Sequence, residues 1–241
     1  MLNKKNRFKP LYKQFIKLRE NVQNRKKLLK FKSKKWEKPI NFYRNKLKRY
    51  KKFKPKDQTR YIVSKYAIKA LSYKKSFRNT LNNSRSFRLF YGNLSKKFVK
   101  KQIKHLFSQK KNRNKNFKLL FLKLFEQRLD TILYRSKFCF SLRNARQLIV
   151  HKKVFVNKNL IKTPSYILKT GDLININPNY YKLIENNLRQ AQIWPIPPKY
   201  LSINYKTIEI IFNGNLEYTN TSTNFMFHLN LEKILSNYLN Y

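Results

Sequence analysis

The excess of positive charge constrains most strongly what this chain can fold into. Its 241 residues include 57 Lys and Arg residues but only 10 Asp and Glu residues, which gives a formal net charge of +47. A compact chain with this charge repels itself unless a polyanion neutralises it. The charge is uneven, because residues 1–123 hold 42 basic and three acidic residues whereas residues 199–241 hold three of each. We therefore predict a nucleic-acid partner for the N-terminal part, with an anionic membrane surface as the weaker alternative, and protein contacts for the C-terminal part.

Glycine, cysteine and histidine are too scarce for several classes of enzyme site. The only glycines are Gly92, Gly171 and Gly214, whereas a P-loop or a dinucleotide-binding loop needs two or three within about six residues. Cys139 is the only cysteine, and the three histidines lie far apart, so we predict no metal, no cofactor and no catalytic residues. No apolar run approaches the ~18 residues that span a membrane, and the first residues lack the apolar core of a secretory signal. We expect a soluble, mature chain.

The hydrophobic pattern predicts an α+β fold preceded by a basic arm. Residues 1–55 scatter aromatic side chains among lysines, which predicts an extended arm ordered by its partner, with a solvated tail as the alternative. Residues 56–116 predict a basic helical domain, and residues 11–30 and 59–80 can be helical. A further helix over 94–107 places Leu94, Phe98, Ile103, Leu106 and Phe107 near one face.

Residues 117–178 predict a small domain of two antiparallel helices packed on a short β-sheet. The first helix spans 117–137 and turns Leu122, Phe125, Leu129, Ile132 and Leu133 inward, with Arg128 and Arg135 at its edge. Ser141 caps the second helix, whose packed face is Leu142, Ala145, Leu148 and Ile149. Short strands follow over 154–157, 159–162 and 172–176. Residues 179–198 form a connector, and residues 199–241 form a tail of two strands and a closing helix, with Asn230 as its N-cap.

Three segments of this domain resemble a known family. RLDTILYRSKF, SLRNARQLIVHKKVFVN and PSYILKTGDLI resemble, in order and spacing, the RNA-binding domain of the universal fourth protein of the small ribosomal subunit. The same domain occurs in RNA-modifying enzymes and tRNA synthetases, but the flanks YGNLSKK and PPKYLSINYKTIEIIF resemble the ribosomal family. The resemblance implies that residues 117–178 are inserted into the helical domain and that the tail returns to it.

The chain departs from the family pattern at two glycines. Lys152 and Lys158 stand where the family has glycine, so we expect Asn157 or Asn159 to adopt any left-handed backbone in the hairpin. Four N-terminal cysteines hold zinc in some bacterial members, and a chain with Cys139 alone lacks them.

The candidate RNA ligands centre on the second helix. Arg143 and Arg146 lie one turn apart, and a guanidinium can grip a phosphate with two hydrogen bonds. The open alternatives are that Arg128 pairs with Asp130, that His151 merely ends the helix, and that the arginines form a solvated surface. The full set of predicted RNA-binding residues is Arg85, Arg88, Lys96, Lys97, Arg128, Arg135, Arg143, Arg146, Gln147, His151, Lys152, Lys153, Asn157 and Lys158.

The resemblance implies a structural constituent of the small ribosomal subunit that binds small-subunit rRNA. Such a protein helps to assemble the subunit body near the mRNA entrance, beside small-subunit proteins three and five, and is not a homo-oligomer. The alternative is an RNA-modifying enzyme or an assembly factor with the same RNA-binding domain, although only 63 residues follow Pro178 to supply a catalytic domain. Heavy use of Lys, Asn, Ile, Tyr and Phe suggests the AT-rich coding that is typical of organelle genomes. Together with the resemblance of the tail to organellar members of the family, it favours a mitochondrion over a plastid or the cytosol.

Overall fold

The computed structural model describes residues 73–108, 116–189, 198–214 and 229–239, together with a few isolated positions. The chain divides into two compact units, one formed by residues 1–90 and 226–241 and the other by residues 91–225. The predicted arm over 1–55 and the predicted helix over 11–30 lie outside the continuous described ranges. No helix in those ranges is long and apolar enough to cross a membrane.

Two helices form the described part of the first unit. Helix α1 (Tyr73–Phe90) packs against the last helix, α7 (Leu231–Leu239). The predicted apolar residues Leu231, Ile234, Leu235 and Tyr238 of α7 are buried. The side chain of Asn230 accepts a hydrogen bond from the Lys233 N–H at 3.1 Å, as expected of its N-cap. Asn237 Nδ2 donates to Ser84 Oγ at 2.9 Å. The predicted closing helix is therefore confirmed.

The second unit contains five helices and a five-stranded sheet. The helices are α2 (Lys96–Ser108), α3 (Phe117–Glu126), α4 (Leu129–Arg135), α5 (Leu142–Val150) and α6 (Tyr181–Arg189), the last preceded by a 3₁₀ turn (Pro178–Tyr180). The strands are β1 (Val154–Val156), β2 (Asn159–Leu160), β3 (Leu173–Ile176), β4 (Leu201–Asn204) and β5 (Glu209–Phe212). All neighbouring strands are antiparallel, in the order β2-β1-β3-β5-β4. One face of the sheet forms a single core with α4, α5 and α6.

The two strands predicted for the tail belong to this sheet. Strand β5 pairs with β3, with Ile174 opposite Ile210, and β4 covers the edge of β5. The predicted tail 199–241 is thus divided, because residues 201–212 complete the sheet while α7 packs on α1. Burial of Ile210 and Phe212 in the common core gives these strands a larger apolar contact than a free hairpin would have.

The single helix predicted over 117–137 is wrong. Arg128 has an extended backbone, with φ −75° and ψ 138°, and this residue separates helix α3 from helix α4. Its backbone bridges Ile167, and the Leu129 N–H donates to Tyr166 O at 2.9 Å. These contacts with a distant loop satisfy backbone groups that a continuous helix would have used within itself. All five predicted inward residues of this region are nevertheless buried.

The helices predicted over 94–107 and after Ser141 have the expected positions, whereas the one predicted over 59–80 is described only from Tyr73, where α1 begins. Ser141 begins α5, and its hydroxyl accepts from the Asn144 N–H at 3.2 Å. The four predicted core residues of α5 are buried. In α2 the prediction is partly wrong, because Val99 is buried with Ile103 and Leu106, while Phe107 is 49 % exposed. The Phe107 ring instead stacks on Phe117 of α3, with ring centroids 4.0 Å apart.

The turns around β1 adopt left-handed backbone at three residues. Lys152 has φ 58° before the strand, and Asn157 and Lys158 have φ 48° and 67° in the hairpin after it. The expectation that Asn157 or Asn159 would take this conformation is correct for Asn157, but Lys158 takes it as well. Two consecutive left-handed residues are what a two-residue hairpin turn requires.

Candidate RNA interface

Asp130 lies at the centre of a buried ionic cluster on α4. Arg128 donates from Nε to Oδ1 at 3.0 Å and from Nη2 to Oδ2 at 2.9 Å. Arg146 on α5 donates from Nε to Oδ2 at 2.8 Å. Asp130 is fully buried and Arg128 nearly so, and the Arg128 guanidinium also lies 5.9 Å from the centre of the Phe98 ring. Of the two alternatives for Arg128, the structure shows the local pair with Asp130.

All three guanidinium nitrogens of Arg146 donate a hydrogen bond within the fold. Beyond Asp130, Nη1 donates to Gly92 O and Nη2 to Tyr91 O, each at 2.8 Å. Gly92 has φ 77°, and a Cβ there would lie 2.7 Å from the guanidinium carbon of Arg146. These contacts occupy the guanidinium that was predicted to grip a phosphate, and they fix the backbone at residues 91 and 92.

A second buried carboxylate, Glu126 at the end of α3, binds three side chains. Arg135 donates to it from Nε at 3.0 Å and from Nη2 at 2.6 Å. Tyr91 and Tyr200 donate their hydroxyls at 2.6 and 2.8 Å. The Arg135 guanidinium also lies 5.2 Å from the centre of the Phe225 ring. The prediction that Arg135 stands at an accessible helix edge is wrong, since it is buried in this cluster.

The electrostatics of this cluster keep Glu126 and Arg135 charged. Burial by itself would raise the pKa of Glu126, but the charge of Arg135 and the hydrogen bonds from Arg135, Tyr91 and Tyr200 bring it below its ordinary value. Burial would lower the pKa of Arg135, and the charge of Glu126 raises it instead. Burial, followed by the charge of Glu126, raises the pKa of both tyrosines. The tyrosines therefore remain neutral donors.

Asn157 and Asp172 tie the β1–β2 hairpin to β3. Asn157 Nδ2 donates to Asp172 Oδ1 at 2.9 Å, and Asn157 Oδ1 accepts from the Leu173 N–H at 2.9 Å. Asp172 Oδ2 accepts from the Lys169 N–H at 2.8 Å. Both functional groups of the predicted RNA ligand Asn157 are thus used inside the protein.

The remaining predicted ligands of this domain lie at the surface around β1. Gln147 and His151 project from the end of α5, Lys152 precedes β1, and Lys158 lies in the following hairpin, all four exposed. We call these four residues the basic hairpin surface. His151 also ends α5 through its backbone, because its N–H donates to Gln147 O at 2.9 Å. Beside the surface, Arg143 is half-buried and the Lys153 ammonium lies 4.9 Å from the centre of the Tyr180 ring.

The four other predicted ligands lie on α1 and α2. Arg85 is exposed and Arg88 half-buried on α1, within the first unit. Lys96 and Lys97 are exposed in the first turn of α2, within the second unit. Each of these positions is separate from the hairpin in the chain.

Neither metal-binding nor thiol chemistry is indicated in the described ranges. Among those residues no group of three or more His, Cys, Asp and Glu side chains could hold a metal ion. Cys139 is buried, and burial raises its pKa to about 12, so the thiol remains protonated.

Comparison with known proteins agrees with this architecture. Residues 127–174, which run from the end of α3 into β3, match the family described as the S4 domain. The chain is 34% identical over 157 residues to the small ribosomal subunit protein uS4m of Marchantia polymorpha, an alignment that covers 63% of this chain and 76% of that protein. The chain belongs to the uS4 family of small ribosomal subunit proteins. The resemblance seen in the sequence is therefore confirmed.

Other uS4 relatives extend the match. The uS4m protein of Reclinomonas americana is 30% identical over 195 residues, covering 76% of this chain and 74% of that protein. The uS4c protein of Eimeria tenella is 40% identical over 107 residues, covering 43% of this chain and 51% of that protein. Membership in the uS4 family confirms a structural ribosomal role and the prediction that the chain is not an enzyme.

The residues that sequence reasoning missed are the partners of the arginines. Glu126, Tyr91 and Tyr200 were not predicted as a cluster, nor Gly92 as the contact of Arg146. One signal was available, namely that the chain has only 10 acidic residues. A carboxylate flanked by apolar helix positions in so basic a chain has many cations to choose from and is rarely buried without one.

Proposed function

We propose that this uS4 family chain is a mitochondrial small-subunit protein that binds small-subunit rRNA through the basic hairpin surface, Gln147, His151, Lys152 and Lys158. The S4 domain match and the uS4m relatives support the placement. Arg143 and Lys153 adjoin the surface and add positive charge near it. Arg128, Arg135, Arg146 and Asn157 are left out, because their polar groups already have protein partners.

The observation that carries this proposal is the backbone of the two lysines. Left-handed backbone costs a residue with a Cβ about 1 kcal/mol, and glycine avoids that cost. Lys152 and Lys158 nevertheless occupy such positions, and in the described structure neither ammonium has a hydrogen-bond, ion-pair or ring partner. The fold therefore gains nothing from lysine here. Binding of a polyanion does gain from lysine at these positions, because each exposed ammonium can neutralise a phosphate.

The positions of these groups suit an RNA helix. Lys152 and Lys158 flank the three-residue strand β1, so their Cα atoms are at most about 20 Å apart along the extended chain. A-form RNA presents phosphates and 2′-hydroxyls across its shallow minor groove. Lysines supply point charges for the phosphates, while Gln147 can donate to and accept from a 2′-hydroxyl. Recognition of this kind reads the shape of a folded rRNA more than its base sequence.

Replacing both lysines by glycine tests the proposal through two opposite effects. The Lys152→Gly, Lys158→Gly variant is expected to keep or increase its free energy of unfolding, because the backbone strain is relieved. Its rRNA affinity is expected to fall, and the slope of log affinity against log salt to decrease by about two, one for each lost phosphate contact. Filter binding over a salt series and chemical denaturation measure the two quantities.

Lys137→Gly is the matched control. Lys137 also has left-handed backbone, with φ 65°, but its ammonium lies 5.8 Å from the centre of the Tyr134 ring. Its removal takes away one charge, so its match is each single variant, Lys152→Gly or Lys158→Gly. We expect a smaller loss of rRNA affinity than in either of them. Equal losses at all three lysines would show that net charge, and not the basic hairpin surface, determines binding.

The proposal also places the chain in the body of the small subunit, near the mRNA entrance and beside small-subunit proteins three and five. Sedimentation of mitochondrial lysate through sucrose gradients at moderate and high salt, followed by mass spectrometry, tests it first. We expect the chain to remain with small-subunit rRNA at high salt. Release into light fractions would favour an assembly factor, and recovery with plastid rRNA would contradict the mitochondrial location.

A further inference from the structure

The sheet has a second face, turned away from the helices, whose chemistry differs from that of the rest of the chain. The register pairs Phe155 with Leu160 and Leu173 with Ile211 on this face. Neighbouring strand positions point into the core and are buried or half-buried. We call the outward residues the outer sheet face; they are Phe155, Leu160, Leu173, Asn175, Ser202, Asn204, Glu209 and Ile211.

Half of the outer sheet face is apolar, and its strands carry no positive charge. None of the five described strands contains a Lys or Arg residue, although the chain has 57 of them. Four of the eight outward side chains are hydrophobic, and Leu160 and Ile211 are 40% and 43% exposed. None of those four belongs to the core that lies on the other side of the sheet. Phe155 and Leu173 on the same face are partly exposed. Hydrophobic residues that gather on one exposed face favour an interaction site.

Glu209 places one negative charge on this face. Its carboxylate accepts from Asn175 Nδ2 and from Thr207 Oγ1, each at 3.0 Å. These neutral donors fix its orientation but leave its charge uncompensated, and no described Lys or Arg side chain forms an ion pair with it. By contrast, Glu126 and Asp130 are both paired with buried arginines.

The charges decide between the possible occupants. An RNA backbone is disfavoured, because the face offers no cation to a phosphate and carries a carboxylate that repels one. A second copy is disfavoured by the net charge of +47 on each chain. A protein that presents an apolar patch and a basic side chain satisfies both the hydrophobic residues and Glu209.

We propose that the outer sheet face docks a neighbouring protein of the small subunit, through apolar contacts around Ile211 and an ion pair between Glu209 and a Lys or Arg of that protein. The proposal rests on the role of the chain in the small subunit. It assigns the two faces of this domain region to different partners, with rRNA at the basic hairpin surface and protein at the outer sheet face.

Photocrosslinking within intact subunits tests this docking. A benzophenone amino acid replaces Ile211 in the full chain, which is assembled into small subunits and purified by sedimentation before irradiation. We expect a crosslink to a peptide of another protein that contains Lys or Arg near the attached residue. Glu209→Lys in the same chain should lower the crosslink yield by about tenfold, since it turns attraction into repulsion. Glu185→Lys on α6, which makes the same charge change at an exposed position, should leave the yield unchanged.

The outcomes separate the docking proposal from the ribosomal role. A crosslink to rRNA, to another segment of this chain or to a second copy would overturn the docking, as would no crosslink at all. A protein crosslink whose yield is the same with Glu209→Lys would also overturn it. A chain that never sediments with the small subunit would instead contradict the role on which the proposal rests.

Discussion

At the scale of single residues, the few carboxylates decide where the arginines go. Glu126 binds Arg135, and Asp130 binds both Arg128 and Arg146. Each of these carboxylates is buried, where an unpaired charge is costly, so the ion pairs are obligatory once the helices pack. The consequence is that three of the cations expected at an RNA surface are structural.

The contact of Gly92 with Arg146 gives the first prediction. Gly92→Ala should lower the free energy of unfolding by about 3 kcal/mol, because a Cβ adds backbone strain and displaces the guanidinium 2.7 Å away. Gly171→Ala is the control, since Gly171 has φ 91° but nothing within 4 Å of an added Cβ. It should lose about 1 kcal/mol from strain alone. Equal losses in urea denaturation would show that the Arg146 contact adds no stability.

The Glu126 cluster gives a prediction about pH. The pKa of Glu126 is lowered in the folded state, so its stabilising contribution is present above the ordinary value of 4.5 and is lost as pH falls below it. The pKa of Tyr91 and of Tyr200 is raised, so their contribution is present below 10.0 and is lost as pH rises further. Stability should therefore decline at both ends of the pH range.

The Tyr200→Phe variant separates the acid decline in stability from the alkaline decline. This variant removes one titrating hydroxyl and should flatten the alkaline decline in the free energy of unfolding, while the acid decline remains. It should also cost about 1 kcal/mol at neutral pH, because Glu126 loses a hydrogen bond. Denaturation between pH 3 and 11 measures both effects. Tyr166→Phe is the control, since Tyr166 is a half-buried tyrosine outside the Glu126 cluster; an equal flattening there would show that the alkaline decline does not come from this cluster.

At the scale of elements, apolar periodicity predicted the helices well, but their ends and partners less well. Helix α5 has its predicted cap at Ser141 and its predicted buried face. The break between α3 and α4 was missed, because it depends on contacts of Arg128 and Leu129 with a loop about 40 residues later in the chain. The local pattern over 117–137 is compatible with a continuous helix, and only the distant loop decides against it.

The packing of α7 on α1 gives a prediction at this scale. Ile234 is fully buried on α7, so Ile234→Ala should destabilise the first unit by about 2–4 kcal/mol through a cavity. Hydrogen exchange should show lost protection in α1 and α7, with the sheet of the second unit unchanged. Ser236→Ala on the exposed side of α7 is the control and should change neither. Loss of protection throughout the sheet with Ile234→Ala would contradict independent stability of the two units.

At the scale of the whole molecule, the net charge of +47 opposes folding of the free chain and favours its complex. Added salt screens the repulsion between like charges. It also weakens binding to a phosphate backbone, because released counterions no longer favour the complex. A higher salt concentration therefore stabilises the folded free chain and weakens its binding to RNA.

A salt titration tests this opposition. From 50 to 200 mM NaCl, the midpoint of thermal unfolding of the free chain should rise, while rRNA affinity should fall by on the order of 10³-fold if several phosphates are bound. Differential scanning fluorimetry and filter binding measure the two on the same preparation. Sodium bromide at matched ionic strength, which replaces chloride by another monovalent anion, checks that screening, and not chloride binding, causes the rise. An affinity independent of salt would contradict a phosphate-based interface.

The sequence by itself determined the family, the α+β class and most of the buried residues of the S4 domain. The class and the buried residues follow from periodicities of two and 3.6 residues and from local capping, which any stretch of chain carries within itself. The family follows from the resemblance of three segments to a known RNA-binding domain. The charge likewise identified a polyanionic partner without any fold.

Only the tertiary structure decided which charged side chains remain available for that partner. Arg146 meets Tyr91 across 55 positions of the chain, and Tyr200 meets Glu126 across 74. Strands β4 and β5 likewise join a sheet begun about 50 residues earlier. A cation on a helix looks the same in sequence whether it faces RNA or a buried carboxylate. Packing brings the carboxylate within 3 Å, and the cost of burying an unpaired charge then fixes the outcome.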